Sequence, residues 1–319
     1  MPGRWGRNIA LGMAVLSGLV LAACDIAPVE VPVTPQPRPA AAPAAAVPAQ
    51  RSAASRSLEA YYSRVQSTLL AQGLLRTGGG GVDTPYTDTD LMRNFERLAF
   101  YDEYRRSAGL APPDGVAGRL KKWTTPVRMK VEFGPLVPAA DRSRDLAVIT
   151  AYLARLERIT GHPMSLVDSN PNFLVLIMGE DAKQLSLQKA QTVIPNLSSA
   201  NRRFLLDLPR RVQCFVLSAG NIDREYEINR AVSVIRAENT DLQRLACVHE
   251  ELAQGLGLTN DSPQARPSIF NDDDEFALLT THDEQLLRIL YNPRLRPGMS
   301  LEEARPIIRT LISGPGGSI

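Results

Sequence analysis

Apolar and polar residues alternate from 126 to 133 (Pro-Val-Arg-Met-Lys-Val-Glu-Phe), the period of a half-buried strand. The period then lengthens. Ile149, Tyr152, Leu153, Leu156 and Ile159 recur at helical spacing and predict a helix over 144–159. Residues 165–168 and 172–178 read as strands, 182–206 as a helical insert, and 214–218 and 231–237 as two more strands. Upstream lie two helical stretches, 57–74 and 89–107, joined by a loop containing Gly78 to Gly81. That glycine run lacks the Lys-Ser/Thr of a phosphate loop and reads as a flexible turn. Downstream, a dense acidic run at 271–275 reads as a helix N-terminus gathering negative charge at the positive dipole end. His282 and Asp283 open a helix that ends at Tyr291-Asn292-Pro293, with His282 as a capping or surface residue, and a last helix runs from Leu301 towards Ile312. The implied fold class is α+β: one mixed sheet packed on two long helices, with an N-terminal helical extension over 57–122 and the main domain over 123–319.

The segment 240–258 carries the chemistry. Thr240 and Gln243 have the spacing of a capping box, and Gly255 or Gly257 can end the helix. At about 100° per residue, Leu242, Leu245, Ala246, His249, Leu252, Ala253 and Leu256 share one side, the expected core face. Gln243, Cys247, Glu250 and Gln254 share another, with Glu251 beside them. His249 in the apolar stripe reads as a core histidine, while Glu250 and Glu251, as sequence neighbours, are not expected to face each other.

The N-terminus fixes the compartment. Arg4 and Arg7 precede an uncharged apolar stretch from Ile9 to Leu21, shorter than the ~20 residues of a membrane span. It closes on Leu21-Ala22-Ala23-Cys24, which looks like a lipobox, so 1–23 is expected to be a signal peptide and Cys24 a lipidated membrane anchor. An ordinary signal peptide that happens to carry a cysteine is the alternative. The domain would then sit in the periplasm, at the bacterial cell envelope; Asp25 resembles an inner-membrane retention signal. Residues 24–56 are dominated by Pro and Ala and read as a semi-extended tether of ~3 Å per residue. Beyond it, 44% hydrophobic residues and a net charge of +2 predict an ordinary core and argue against a nucleic-acid partner. Cys214 and Cys247 are the cysteines left for that compartment; they are read either as a disulfide or as two buried thiols.

The run Glu250-Glu251-Leu252-Ala253-Gln254-Gly255-Leu256-Gly257-Leu258 resembles the zinc-binding helix of the metzincin peptidases, His-Glu-x-x-His-x-Leu-Gly-Leu. Position by position, the resemblance puts metal ligands at Glu250, Gln254 and Asn260 and the general base at Glu251. Ser268-Ile269-Phe270 is similar to the Met-turn of the same family, with Phe270 in place of Met. The stretch from Trp123 onward, with Cys247-x-x-Glu-Glu-Leu, also resembles a bacterial family known as domain of unknown function 2927. The resemblance implies a zincin-like fold. It does not imply zinc, because the histidines are replaced and neutral amides are feeble donors to that metal. No metal cofactor is therefore expected. A divalent ion held by the oxygens of Glu250, Gln254, Asn260 and Asp261 is the alternative, as is hydrogen bonding across the cleft. The functional expectation is a monomeric pseudo-peptidase that binds a peptide or envelope protein, with the strand at 231–237 as the receiving edge. Its rivals are an active hydrolase using Glu251 and a purely structural lipoprotein.

Overall fold

The computed structural model describes residues 50–103, 115–221, 223–271 and 273–314. The signal segment, Cys24, Asp25 and most of the tether lie outside these described residues. The chain divides into Met1–Ala46 and Val47–Ile319, and all described residues belong to the second unit.

Two helices come first, α1 (Ala53–Ala71) and α2 (Asp88–Phe100). The helix expected from residue 57 begins earlier because Ser52 caps it, its side chain accepting from the Ser55 N–H. Next come β1 (Lys122–Trp123), β2 (Val127–Phe133), α3 (Ala139–Thr160), β3 (Met164–Leu166) and β4 (Phe173–Met178). A 3₁₀ turn leads into α4 (Lys183–Val193) and α5 (Ser199–Leu206), so the single helical insert is two helices. The chain then forms β5 (Cys214–Asn221), β6 (Arg224–Arg236), α6 (Asp241–Gln254), α7 (Thr281–Tyr291) and α8 (Leu301–Ser313).

The strands make one six-stranded sheet in the order β1-β6-β4-β2-β3, with β5 added against β6. Every pairing is parallel except β5 on β6, which is antiparallel. The architecture is thus α+β, and the sheet is covered on both faces. β4 shows why: all six of its residues are buried. Phe173, Val175 and Ile177 enter the main core with α2, α3, α6, α7 and α8. Leu174, Leu176 and Met178 point the other way, into a second core roofed by α4 and α5. A strand buried on both faces needs apolar residues in both registers, which is the sequence of a central parallel strand.

Several expectations are corrected. Residues 231–237 are not a sheet edge: Ala231–Arg236 pair with Phe173–Met178 on one side, and the same strand pairs with β5 on the other. The edge on that side is β5, which pairs with β6 alone among the described residues; β3 is the edge at the opposite end. Thr240 caps no backbone N–H; its hydroxyl instead reaches the side chains of Gln66 and Gln243. The acidic run starts no helix. Its Glu275 is drawn into ion pairs with Arg76 and Arg266, two cations far apart in sequence. The Gly78–Gly81 turn is a packing element, since a Cβ on Gly79 would stand 2.7 Å from the Thr280 Cα. His282 is neither cap nor surface residue. It is fully buried, and Asn94 of α2 donates to its Nε2 at 3.1 Å. Thr280 is the cap of α7, closing a capping box with Asp283.

β1, which the sequence pattern does not reveal, is held by the end of α6. Trp123 is buried, stacks on Phe173 and donates from Nε1 to the Gly255 carbonyl at 2.8 Å. Gly257, at φ +125°, lets the chain pass so close that a Cβ would stand 2.3 Å from the Lys121 carbonyl oxygen. Gly257→Ala is expected to lower stability by about 2–5 kcal/mol, through backbone strain and overpacking together. Denaturant melts check this; a wild-type midpoint in the variant would show that the approach of β1 to the helix end is not close.

Candidate functional site

The site is built where α6 passes the outer strand. Cys247 on α6 and Cys214 at the start of β5 are joined by a disulfide with Cα atoms 5.8 Å apart. The crosslink ties the edge of the sheet to the helix beneath it. Beside it a cleft of about 1200 Å³ opens, walled by β5 from Cys214 to Asn221, by α5 and by one face of α6. Gln243, Glu250, Glu251 and Gln254 line its α6 wall, and Asp261 and Glu103 line it from the connecting segments.

The two glutamates do meet, against expectation. The Cys214 sulfur and one carboxylate oxygen each from Glu250 and Glu251 all lie within 4.8 Å of one another. Long side chains can converge from neighbouring helix positions when both are drawn into one concavity. At an effective dielectric of about 20, two unit charges that close repel by roughly 3–4 kcal/mol. Glu251 is 3% exposed, and its Oε2 has no hydrogen-bond partner among the described residues. Burial, then the negative charges of Glu250, Glu103 and Asp261, push its pKa well above the usual glutamate value.

The other residues of the sequence-derived set behave differently. Gln254 faces the cleft but its Nε2 donates to Asp261 Oδ1 at 2.7 Å. Asn260 does not line the cleft; its Nδ2 donates to the Arg97 carbonyl at 3.0 Å. The residue that faces in is its neighbour Asp261, because the chain after Gly257 has left the helix and helical spacing no longer predicts which side chain turns inward. Asn260 thus stands apart from Glu250 and Gln254, which line the cleft. Glu250, Glu251 and Cys214 are brought together, but that sulfur is committed to the disulfide and offers no thiolate. Two carboxylates are a thin donor set for zinc, which favours imidazole and thiolate.

His249 packs in the core, stacked on Tyr152 with ring centroids 3.9 Å apart. Its Nδ1 accepts from the Leu279 N–H at 3.0 Å, and burial lowers its pKa to about 3, so the ring is neutral. The Ser268-Ile269-Phe270 loop is held by the buried Asp283 carboxylate, which accepts from the Ser268 hydroxyl and the Ile269 N–H. Phe270 itself is fully buried in the main core. Glu103 and β5 as an edge are the site components the sequence did not point to; Asp261 was among its four candidate oxygen donors.

No helix among the described residues is long and apolar enough to cross a membrane. One family, described as Protein of unknown function (DUF2927), matches residues 88–310. No curated protein and no solved structure matches the chain.

Two outcomes follow from this geometry. Opening the disulfide by Cys214→Ser with Cys247→Ser should cost about 3–4 kcal/mol, the loop-closure value for its sequence separation of 33; denaturant titration of the oxidised protein and the variant measures it. The raised pKa of Glu251 fixes a pH dependence. The folded state holds this proton where the unfolded chain has released it, so stability falls as pH rises from about 4.5 through the folded-state pKa. Glu251→Gln removes that fall, and its stability advantage over wild type should grow from pH 5 to pH 8. Parallel pH profiles would show that the carboxyl is not perturbed.

Proposed function

The chain belongs to the Protein of unknown function (DUF2927) family, and we propose that its domain is a non-catalytic binding module that receives an extended polypeptide along β5. The observation that carries this reading is an antiparallel strand whose outer edge pairs with no strand among the described residues, set beside a cleft of about 1200 Å³. An added strand satisfies that row of backbone donors and acceptors, and alternate side chains then drop into the cleft or out of it. The disulfide serves the same end, because a strand held to α6 loses less freedom when a ligand docks.

We read the fold as zincin-like and as metzincin-like in the order of its strands. Support comes from the α6 run and from an antiparallel strand lying next to the strand that leads into that helix. A pseudo-peptidase is the reading that suits this donor set. In the rival reading, Glu251 is a general base beside an oxygen-ligated metal, and its raised pKa is the one observation in favour. Against it stand Gln254, whose amide nitrogen is bound to Asp261, and Asn260, turned away to a backbone carbonyl. The lipid anchor at Cys24, the envelope location, the inner-membrane preference of Asp25, a monomeric state and the working of the domain without a resident metal are parts of the same proposal.

Amide hydrogen exchange tests it. With a pool of extended peptides added to the full chain, amides of Cys214–Asn221 should slow about ten-fold or more, and the interior strand β4 should not change. If no peptide in the pool protects β5, while a peptide substrate is cleaved in a metal-dependent way, the binding reading gives way to the hydrolase.

A further inference from the structure

The chain turns in opposite directions after β2 and after β4. From β2 it runs through α3 to β3 on one side; from β4 it runs through α4, α5 and β5 to β6 on the other. α3 packs with Phe173, Val175 and Ile177 on one face of the sheet, and α4 and α5 pack with Leu174, Leu176 and Met178 on the opposite face. Where two crossovers diverge in this way they leave a crevice outside the carboxyl ends of the strands, and open α/β sheets bind ligands there. Gly134, Gly179 and Glu238, each just past the end of its strand, line that crevice. A Cβ on Gly179 would stand 3.0 Å from Glu238 Oε1, so backbone and carboxylate form one close wall.

Glu238 is 2% exposed. Its Oε1 accepts from the Glu180 N–H at 2.6 Å and from the Ser55 hydroxyl at 2.7 Å. Its Oε2 is buried and accepts from nothing among the described residues. A buried acceptor without a donor is costly, and native proteins leave few of them. The space left in the crevice is about 20 Å³, room for a single water. What fills the rest is the first turn of α1: Ser55 reaches in to Glu238, and the Ser52 N–H donates to Asp181 at 2.9 Å. Yet Ser55, Leu58 and Tyr62 are the only buried residues of the nineteen in α1. The helix also precedes the stretch 88–310 that matches the family. An element with so thin an apolar footing opens more readily than the strands beneath it.

We propose that α1 is a removable cover over a second ligand site, and that this site takes a sugar through a vicinal diol. Ser55 stands where one sugar hydroxyl would stand. A diol brings two, one for each oxygen of Glu238, whereas Ser55 serves Oε1 alone. An acidic side chain is the group with which such sheets hold ribose hydroxyls. The site is separate from the cleft along β5 and does not depend on how that cleft is read.

Hydrogen exchange on the full chain tests this with a matched pair of probes. Methyl β-D-ribofuranoside carries a vicinal diol; its 2-deoxy analogue carries none. The ribofuranoside should speed exchange of α1 amides about ten-fold or more and slow the amides of residues 134–137, and the 2-deoxy compound should do neither. Ser55→Ala removes the competing hydroxyl. It should tighten ribofuranoside binding about five-fold, the worth of one hydrogen bond, without creating a response to the 2-deoxy compound. Glu238→Gln should abolish the response to the ribofuranoside, and a thermal melt shows that the variant is folded; should it not fold, the gain in Ser55→Ala decides. Equal responses to the two probes, or no response even in Ser55→Ala, would overturn the sugar site. Slowed exchange at 134–137 with α1 unchanged would uphold the site and overturn the cover.

Discussion

The burial of β4 on both faces is the constraint from which the rest follows. Its run Phe-Leu-Val-Leu-Ile-Met can be hidden only if helices lie above and below the sheet, and the parallel pairings to β2 and β6 require crossovers long enough to supply them. α3 supplies the crossover beneath; α4 and α5 supply the roof. Once the centre is filled this way, the chain returning from α5 can add itself only at the outside of β6, as an antiparallel hairpin arm. β5 is therefore an edge by topology. The following helix, α6, must leave the end of β6 and run under the sheet, which places its charged face alongside that edge. The cleft is the space between β5 and the face of α6 from Gln243 to Gln254.

An exposed edge is a hazard, because it invites pairing with other copies. The residues of β5 show a partial answer: its far end reads Ser-Ala-Gly-Asn, with bulge-like register shifts near Gly220, and twists away from simple pairing. The near end is different. There the strand is straight in register, carries Cys214, Phe215 and Val216, and is bolted to α6. The crosslink therefore fixes the strand at the end nearest Glu250 and Glu251.

How much of this can be read in the sequence depends on how local each cause is. β4 and α3 are legible because their burial is written in their own period. β6 is legible only in its second half; its first half, Arg-Glu-Tyr-Glu-Ile-Asn-Arg, lies in a hairpin with β5 and shows no apolar run. β1 is two residues long and exists because Trp123 reaches Gly255, a contact that spans 132 positions. His282 reads as a cap because its true partner, Asn94, lies 188 residues away. In the site, Glu250, Glu251 and Gln254 were accessible through the helix motif. Asp261 was named among the candidate donors, but that it and not Asn260 faces the cleft turns on the loop geometry after Gly257.

Glu251 presents the sharpest conflict between local physics and the fold. A carboxyl at this depth weakens the folded state as pH rises, and Gln, the same size and uncharged, would escape that loss. Leucine would do as well by packing, as Leu252 does at the next position. Sequences that specify a stable fold tend to break such rules only at functional places. Here the broken rule coincides with a strand edge that pairs with nothing among the described residues, a cleft of about 1200 Å³ and a second carboxylate within reach. Under the proposed binding role, this cost falls where an extended ligand would lie, along β5 and beside the cleft face of α6.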